Sequence, residues 1–154
     1  MTPKKTIILG VGNELLSDEG IGVYVAKELE KMSLPSGVEV YEGGTDGFGL
    51  INIITEADRL IVIDALKGGA AAGTIYKFDI DEAPDCPDMF KTSVHQISIL
   101  EVIHLSGLIG KTPQTTILGV EPGNIATGMD LSPEVRKKIP KLIELVMEEI
   151  LEYA

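Results

Sequence analysis

The chain has 154 residues, 44% hydrophobic and 24% charged, the size and composition of one globular domain around a single core. Its 13 Lys and Arg against 24 Asp and Glu leave a net charge of −11 with no basic cluster, which excludes nucleic acid as a natural partner. No stretch approaches the ~20 consecutive apolar residues of a membrane helix, so no membrane partner is expected.

In chain order, Met1 to Lys5 runs directly into Ile7-Ile8-Leu9, too short for a signal-peptide core and without a small-residue cleavage site. Thr6 to Val11 reads as a buried strand. Beyond a loop bearing glycines and acids, Ile21, Val25, Leu29 and Met32 recur at helical spacing. Val38 to Tyr41 is a second strand, stopped by Gly43-Gly44, and a weaker helix lies around Phe48 to Glu56. Leu60 to Ile63 is a third strand, continuously apolar as interior parallel strands are.

The small residues from Gly68 to Gly73 cannot pack as a crossover helix; they predict a loose hairpin into an antiparallel edge strand, Thr74 to Phe78. A Pro- and Asp-rich loop follows to about Thr92 and holds Cys86 among acids that would raise its thiol, against a nucleophilic role. A lone cysteine without a signal segment points to a reducing, cytoplasmic setting. A helix is expected from His95 through Leu105, then a last strand from Thr115 to Val120. The closing helix has Ser132 as N-cap and Pro133 at its first position. Its apolar face is Ile139, Leu142, Ile143, Val146 and Ile150, with a kink or restart expected at Pro140.

This alternation predicts one α/β domain spanning 1–154: a three-layer sandwich with a mostly parallel, twisted sheet of about five strands, an antiparallel edge strand and helices on both faces. Functional groups gather beyond the carboxyl ends of such strands. If the strand order begins 2-1-3, Glu14, Asp18, Glu19 and Asp64 approach one another there.

Gly10-Val11-Gly12 suggests a dinucleotide fingerprint, but Leu15 stands where the third glycine belongs and acidic residues at 14, 18 and 19 oppose phosphate. That leaves two adjacent carboxylates before a helix. Asp18 suits a helix cap or a direct contact in equal measure, and Glu19 by itself would do no more than favour the helix dipole. Asp64 ends an apolar strand, where a carboxylate costs desolvation unless it caps, pairs or ligates. His95, at a predicted helix start, is favoured as the neutral imidazole that can ligate metal. His104, beside Leu105 in mid-helix, reads as structural or surface. Glu19, Asp64 and His95 together make an open set of two oxygens and one nitrogen for a borderline divalent ion, with zinc, nickel and iron left open. With no Ser-His-Asp arrangement or activated Cys, an acyl-enzyme is not expected; a carboxylate base with a metal-polarised carbonyl or water fits better.

The stretch from Gly10-Val11-Gly12-Asn13 through Leu16-Ser17-Asp18-Glu19-Gly20-Ile21-Gly22-Val23 resembles the signature of the hydrogenase maturation protease family. Gly43-Gly44-Thr45, Ile63-Asp64-Ala65, His95-Gln96 and Gly119-Val120-Glu121-Pro122 follow in that family's order and at compatible separations. Glu42 stands where the family commonly shows Asp. The resemblance implies an aspartic-type, metal-recognising endopeptidase whose triad is Glu19, Asp64 and His95. Its ion would be nickel already inserted in the precursor of a nickel-iron hydrogenase large subunit, with zinc or another divalent ion only an adventitious occupant. Asp18, Gly43, Gly44 and Thr45 are then candidates for binding the substrate near the cut. A non-catalytic nickel-sensing chaperone would use the same triad.

Overall fold

The computed structural model of the chain describes residues 4–45, 47–82 and 98–153. β1 (Thr6–Val11) is buried along its whole length, as its unbroken apolar run requires. A 3-10 turn at Ser17–Gly20 leads into α1 (Ile21–Glu30), whose Ile21, Val25 and Leu29 are buried. Met32 is exposed beyond the helix, because the chain leaves α1 in a tight turn at Lys31 and Met32 that bonds back to Glu28 and Leu29. β2 (Val38–Gly44) runs through the two glycines expected to stop it. Gly10 lies opposite Glu42 and Val11 opposite Gly44, so Gly43 is absorbed as a bulge and the strand continues.

After a 3-10 turn at Phe48–Leu50 come α2 (Ile51–Glu56) and β3 (Arg59–Ala65). β3 outruns its apolar centre at both ends, so Asp64 lies inside the strand, opposite Gly119, and does not terminate it. β4 (Ile75–Asp79), α3 (Ile99–Ile109), β5 (Gln114–Val120), α4 (Pro133–Arg136) and α5 (Ile139–Tyr153) complete the chain. Ser98 caps α3 by accepting the Glu101 N–H at 3.2 Å. The helix α3 spans Ile99–Ile109, beyond the expected end at Leu105, and the expected start at His95 lies outside the described residues. Cys86, His95 and Gln96 lie outside the described residues. The chain breaks between α4 and α5, which puts Pro140 in a first helical turn, where its missing N–H costs nothing.

The sheet order is β2-β1-β3-β5-β4, parallel except for β4 against β5. The hairpin expected between β3 and β4 is not formed, because β5 inserts between them. Burial explains the exchange. Thr115 to Val120 are buried on both faces and need an interior place, whereas β4 exposes Lys77 and Asp79 and suits an edge. Ile7, Leu9, Leu60, Val62 and Ile117 face α2 and α3. Ile8, Ile61, Ile63, Leu118 and Val120 face α1, α4 and α5. Successive side chains along each strand thus feed two cores, and the three layers follow.

Candidate functional site

β1, β2, β3 and β5 run parallel, so their carboxyl ends share one edge of the sheet. Alternation along β3 puts Asp64 on the same face as Val62 and Leu66, toward α2 and α3. α1 begins against this edge because Gly22 has no side chain. A Cβ there would stand 2.1 Å from the Ile63 carbonyl oxygen and 2.5 Å from that of Val11. The loop before α1 is equally tight: Gly12 has φ +130, and a Cβ on it would meet the Glu19 carbonyl oxygen at 1.9 Å. This folding brings Glu19 to Asp64, and both side chains are buried. Burial pushes the Asp64 carboxyl well above the ordinary carboxylate value; the Ala65 N–H, donating to Oδ1 at 2.8 Å, works against that, and the Glu19 charge adds to it.

Asp18 and Glu14 turn to partners of their own. Asp18 is buried, and its carboxylate accepts four hydrogen bonds at 2.8 Å, from the N–H groups of Gly123, Asn124 and Ser132 and the Ser132 hydroxyl. These use the lone pairs of the carboxylate. Asp18 does not cap α1; it latches the segment after β5 onto the loop after β1. Ser132, expected as an N-cap, makes no side-chain cap and spends its hydroxyl on this latch. Burial pushes the Asp18 carboxyl up, but the bonds from Ser132, Asn124 and Gly123 outweigh it and hold the group below its ordinary value. Glu14 pairs with Lys27 at 2.7 Å, and Lys27 also reaches Glu42 at 4.0 Å.

The other candidates lie at the same edge. The Gly44 carbonyl accepts the Gly12 N–H at 2.9 Å, which ties the end of β2 to the loop after β1, and Thr45 is exposed just beyond. Glu121 is an organiser that residue type alone did not reveal: buried after β5, it accepts from Gly68 N–H (2.7 Å), Ala70 N–H (3.1 Å) and the Tyr76 hydroxyl (2.7 Å). The available signal was a carboxylate closing an apolar strand, the same signal that singled out Asp64. His104 is exposed on α3. His95 lies outside the described residues, and among the described residues no group of three or more His, Cys, Asp and Glu is gathered for a metal ion. The Glu19–Asp64 pair offers two acidic oxygen donors, Asp64 with its proton affinity raised by burial, suited to proton transfer or to completing the coordination of an ion brought from outside.

Replacing the latch carboxylate has a measurable cost. Asp18→Asn keeps one acceptor oxygen but turns an amide N–H₂ toward N–H donors, and about 2 kcal/mol of stability should be lost, a fall in Tm of roughly 4–8 °C. Because the folded Asp18 value is depressed, its contribution is present above the ordinary value of about 4 and is lost as pH falls through the folded value. Melting curves of the two proteins should therefore converge in acid, and a constant gap at all pH would contradict the assignment.

The model of the family described as hydrogenase maturation protease matches residues 23–149. The hydrogenase expression/formation protein HupD of Bradyrhizobium diazoefficiens is 36% identical over 152 residues, covering 97% of this chain and 79% of that one. The hydrogenase 2 maturation protease of Escherichia coli is 34% identical over 153 residues, 96% of this chain and 92% of that one. Among solved structures, the hydrogenase maturating endopeptidase HybD from E. coli superposes with a TM-score of 0.86 at 33% identity, covering 97% of this chain and 94% of the other.

Proposed function

The chain belongs to the hydrogenase maturation protease family, and from that premise we propose that it removes the C-terminal extension of a nickel-iron hydrogenase large-subunit precursor once nickel has been inserted. The observation that carries the reading is the buried Glu19–Asp64 pair at the carboxyl edge of the sheet. Two carboxylates here are expensive to keep desolvated and side by side, an arrangement that a purely structural role does not require.

In this reading Glu19, Asp64 and His95 are an incomplete ligand set that completes the coordination of the nickel offered by the precursor, so that only a loaded precursor is seated. Gly43, Gly44 and Thr45 border the backbone to be cut, and Asp18 acts by holding the loop that carries Glu19. Water adds to the scissile carbonyl as its proton passes to a carboxylate. The C–N bond then breaks and the proton is returned to the departing amine. The acid pair makes the enzyme aspartic in type.

The test is incubation of the purified chain with nickel-loaded precursor, read by mass spectrometry. A large subunit shortened at its C-terminus is the expected result. Binding without shortening would overturn the reading in favour of a nickel-sensing chaperone.

A further inference from the structure

Four of the eight exposed large apolar side chains among the described residues stand near one edge of the sheet. Leu15 (58% exposed), Phe48 (65%), Ile125 (37%) and Met129 (59%) stand on loops that follow the carboxyl ends of β1, β2 and β5. This is the edge that holds Glu19 and Asp64; in the order β2-β1-β3-β5, the strands that lead to Phe48 and Leu15 lie on one side of β3 and the strand that leads to Ile125 and Met129 on the other. The segments that carry Phe48, Ile125 and Met129 are themselves uncharged although the chain carries −11: Pro122 to Met129 and Gly47 to Thr55 contain no charged residue, with Asp46 and Asp130 next to them in sequence. Of the acids in the loop after β1, Glu14 is paired with Lys27 and Asp18 is buried in the latch.

These apolar groups are held out, not left loose. The Gly128 N–H donates to the Leu15 carbonyl at 2.8 Å, the Ser17 N–H to the Gly128 carbonyl at 2.8 Å and the Asp18 N–H to the Asn124 carbonyl at 2.9 Å. The Ser17 hydroxyl donates to the Ala126 carbonyl at 2.8 Å, and the Tyr24 hydroxyl donates to that of Met129. Two loops zipped together in this way present Leu15, Ile125 and Met129 on one preorganised frame. Large apolar and aromatic side chains on uncharged segments are the composition of the centre of a protein interface.

We propose that Leu15, Phe48, Ile125 and Met129 form a docking rim that grips an apolar part of the precursor's surface around the peptide to be cut. The inference rests on the proposed function above and names the surface by which the partner is held. The occupant follows from position: the rim shares the sheet edge of the acid pair, the edge the precursor must reach to be cut, so a second copy seated there would compete with the substrate.

The rim residues are exposed, so polar replacements leave the core untouched. Phe48→Ser/Met129→Ser and Leu15→Ser/Ile125→Ser should each raise the Kd for nickel-loaded precursor, and the KM for its processing, about tenfold. The kcat at saturating precursor and the melting temperature should stay as in the parent chain. Leu108→Ser/Ile109→Ser, equally apolar and exposed but at the end of α3, should change neither constant. Unchanged Kd and KM in both rim variants, with a parent chain that binds and cuts, would overturn the rim while leaving the proposed function standing. Loss of self-association by sedimentation with unchanged precursor binding would also overturn it, assigning the rim to a second copy. A parent chain that neither binds nor cuts the precursor would remove the proposed function and the rim with it.

Discussion

Asp64→Asn should stop processing of the precursor while the protein remains folded. The replacement is close to isosteric, and the backbone of residue 64 keeps its place in β3 opposite Gly119, so the sheet has no reason to change. What disappears is the acidic group whose proton affinity burial, and to a lesser degree the neighbouring Glu19, have raised. Loss of a proton-transferring or ion-completing carboxylate costs about a hundredfold or more in rate. Stability should move the other way. The folded Asp64 value is raised, so its contribution is fully present below the ordinary value of about 4 and is lost as pH climbs through the folded value. Asn cannot ionise and escapes that loss, so the variant should melt with the parent in acid and increasingly above it as pH rises. Rate by mass spectrometry and Tm across pH check the two halves separately. His95→Ala belongs in the same assay and should lose processing as Asp64→Asn does. Normal processing by both variants would remove the basis of the site.

The second large effect falls on a residue without a side chain. Gly22→Ala puts a Cβ at 2.1 Å from the Ile63 carbonyl oxygen and 2.5 Å from the Val11 carbonyl oxygen, backbone atoms of two sheet strands that cannot rotate aside. The first turn of α1 must lift from the sheet edge, at a cost of about 3 kcal/mol and a Tm lower by roughly 6–12 °C. Glu19 is carried on the turn that enters α1, so the same displacement separates it from Asp64, and processing should fall well beyond what the unfolded fraction explains. Activity measured far below the variant's own Tm isolates that second effect. A variant that is destabilised but fully active at low temperature would show that the placement of Glu19 does not depend on Gly22.

The elements whose neighbours are local in sequence were legible; those decided by distant partners were not. β1, β3 and β5 announce themselves by apolar runs, Ile7 to Leu9, Leu60 to Ile63 and Ile117 to Val120, and Ser132-Pro133 and Pro140 mark how the last two helices start. The place of β5 inside β4 could not be read locally, because it depends on which strand has two faces to bury. The pairing of Glu19 with Asp64 follows from the strand order 2-1-3 and the closeness allowed by Gly22, so topology carried it. Asp18 was ambiguous because its partners, Gly123, Asn124 and Ser132, lie more than a hundred positions away. The same holds at the opposite end of the sheet. Arg59 at the start of β3 donates to Glu149 on α5 in a buried ion pair, and Lys77 of β4 reaches the other oxygen of Glu149 at 2.5 Å. Glu149 falls among the apolar positions of α5, three residues after Val146, which signals a buried charge but not its partner.

Cleavage of nickel-loaded and nickel-free precursor by the unmodified chain, followed side by side by mass spectrometry, bears most directly on the claim that acids at the sheet edge recognise an ion carried by another protein. Shortening of the loaded precursor, with the nickel-free form left intact over the same time, is the expected result. Equal rates on both forms would contradict it, and would leave Glu19 and Asp64 with the chemistry of hydrolysis alone.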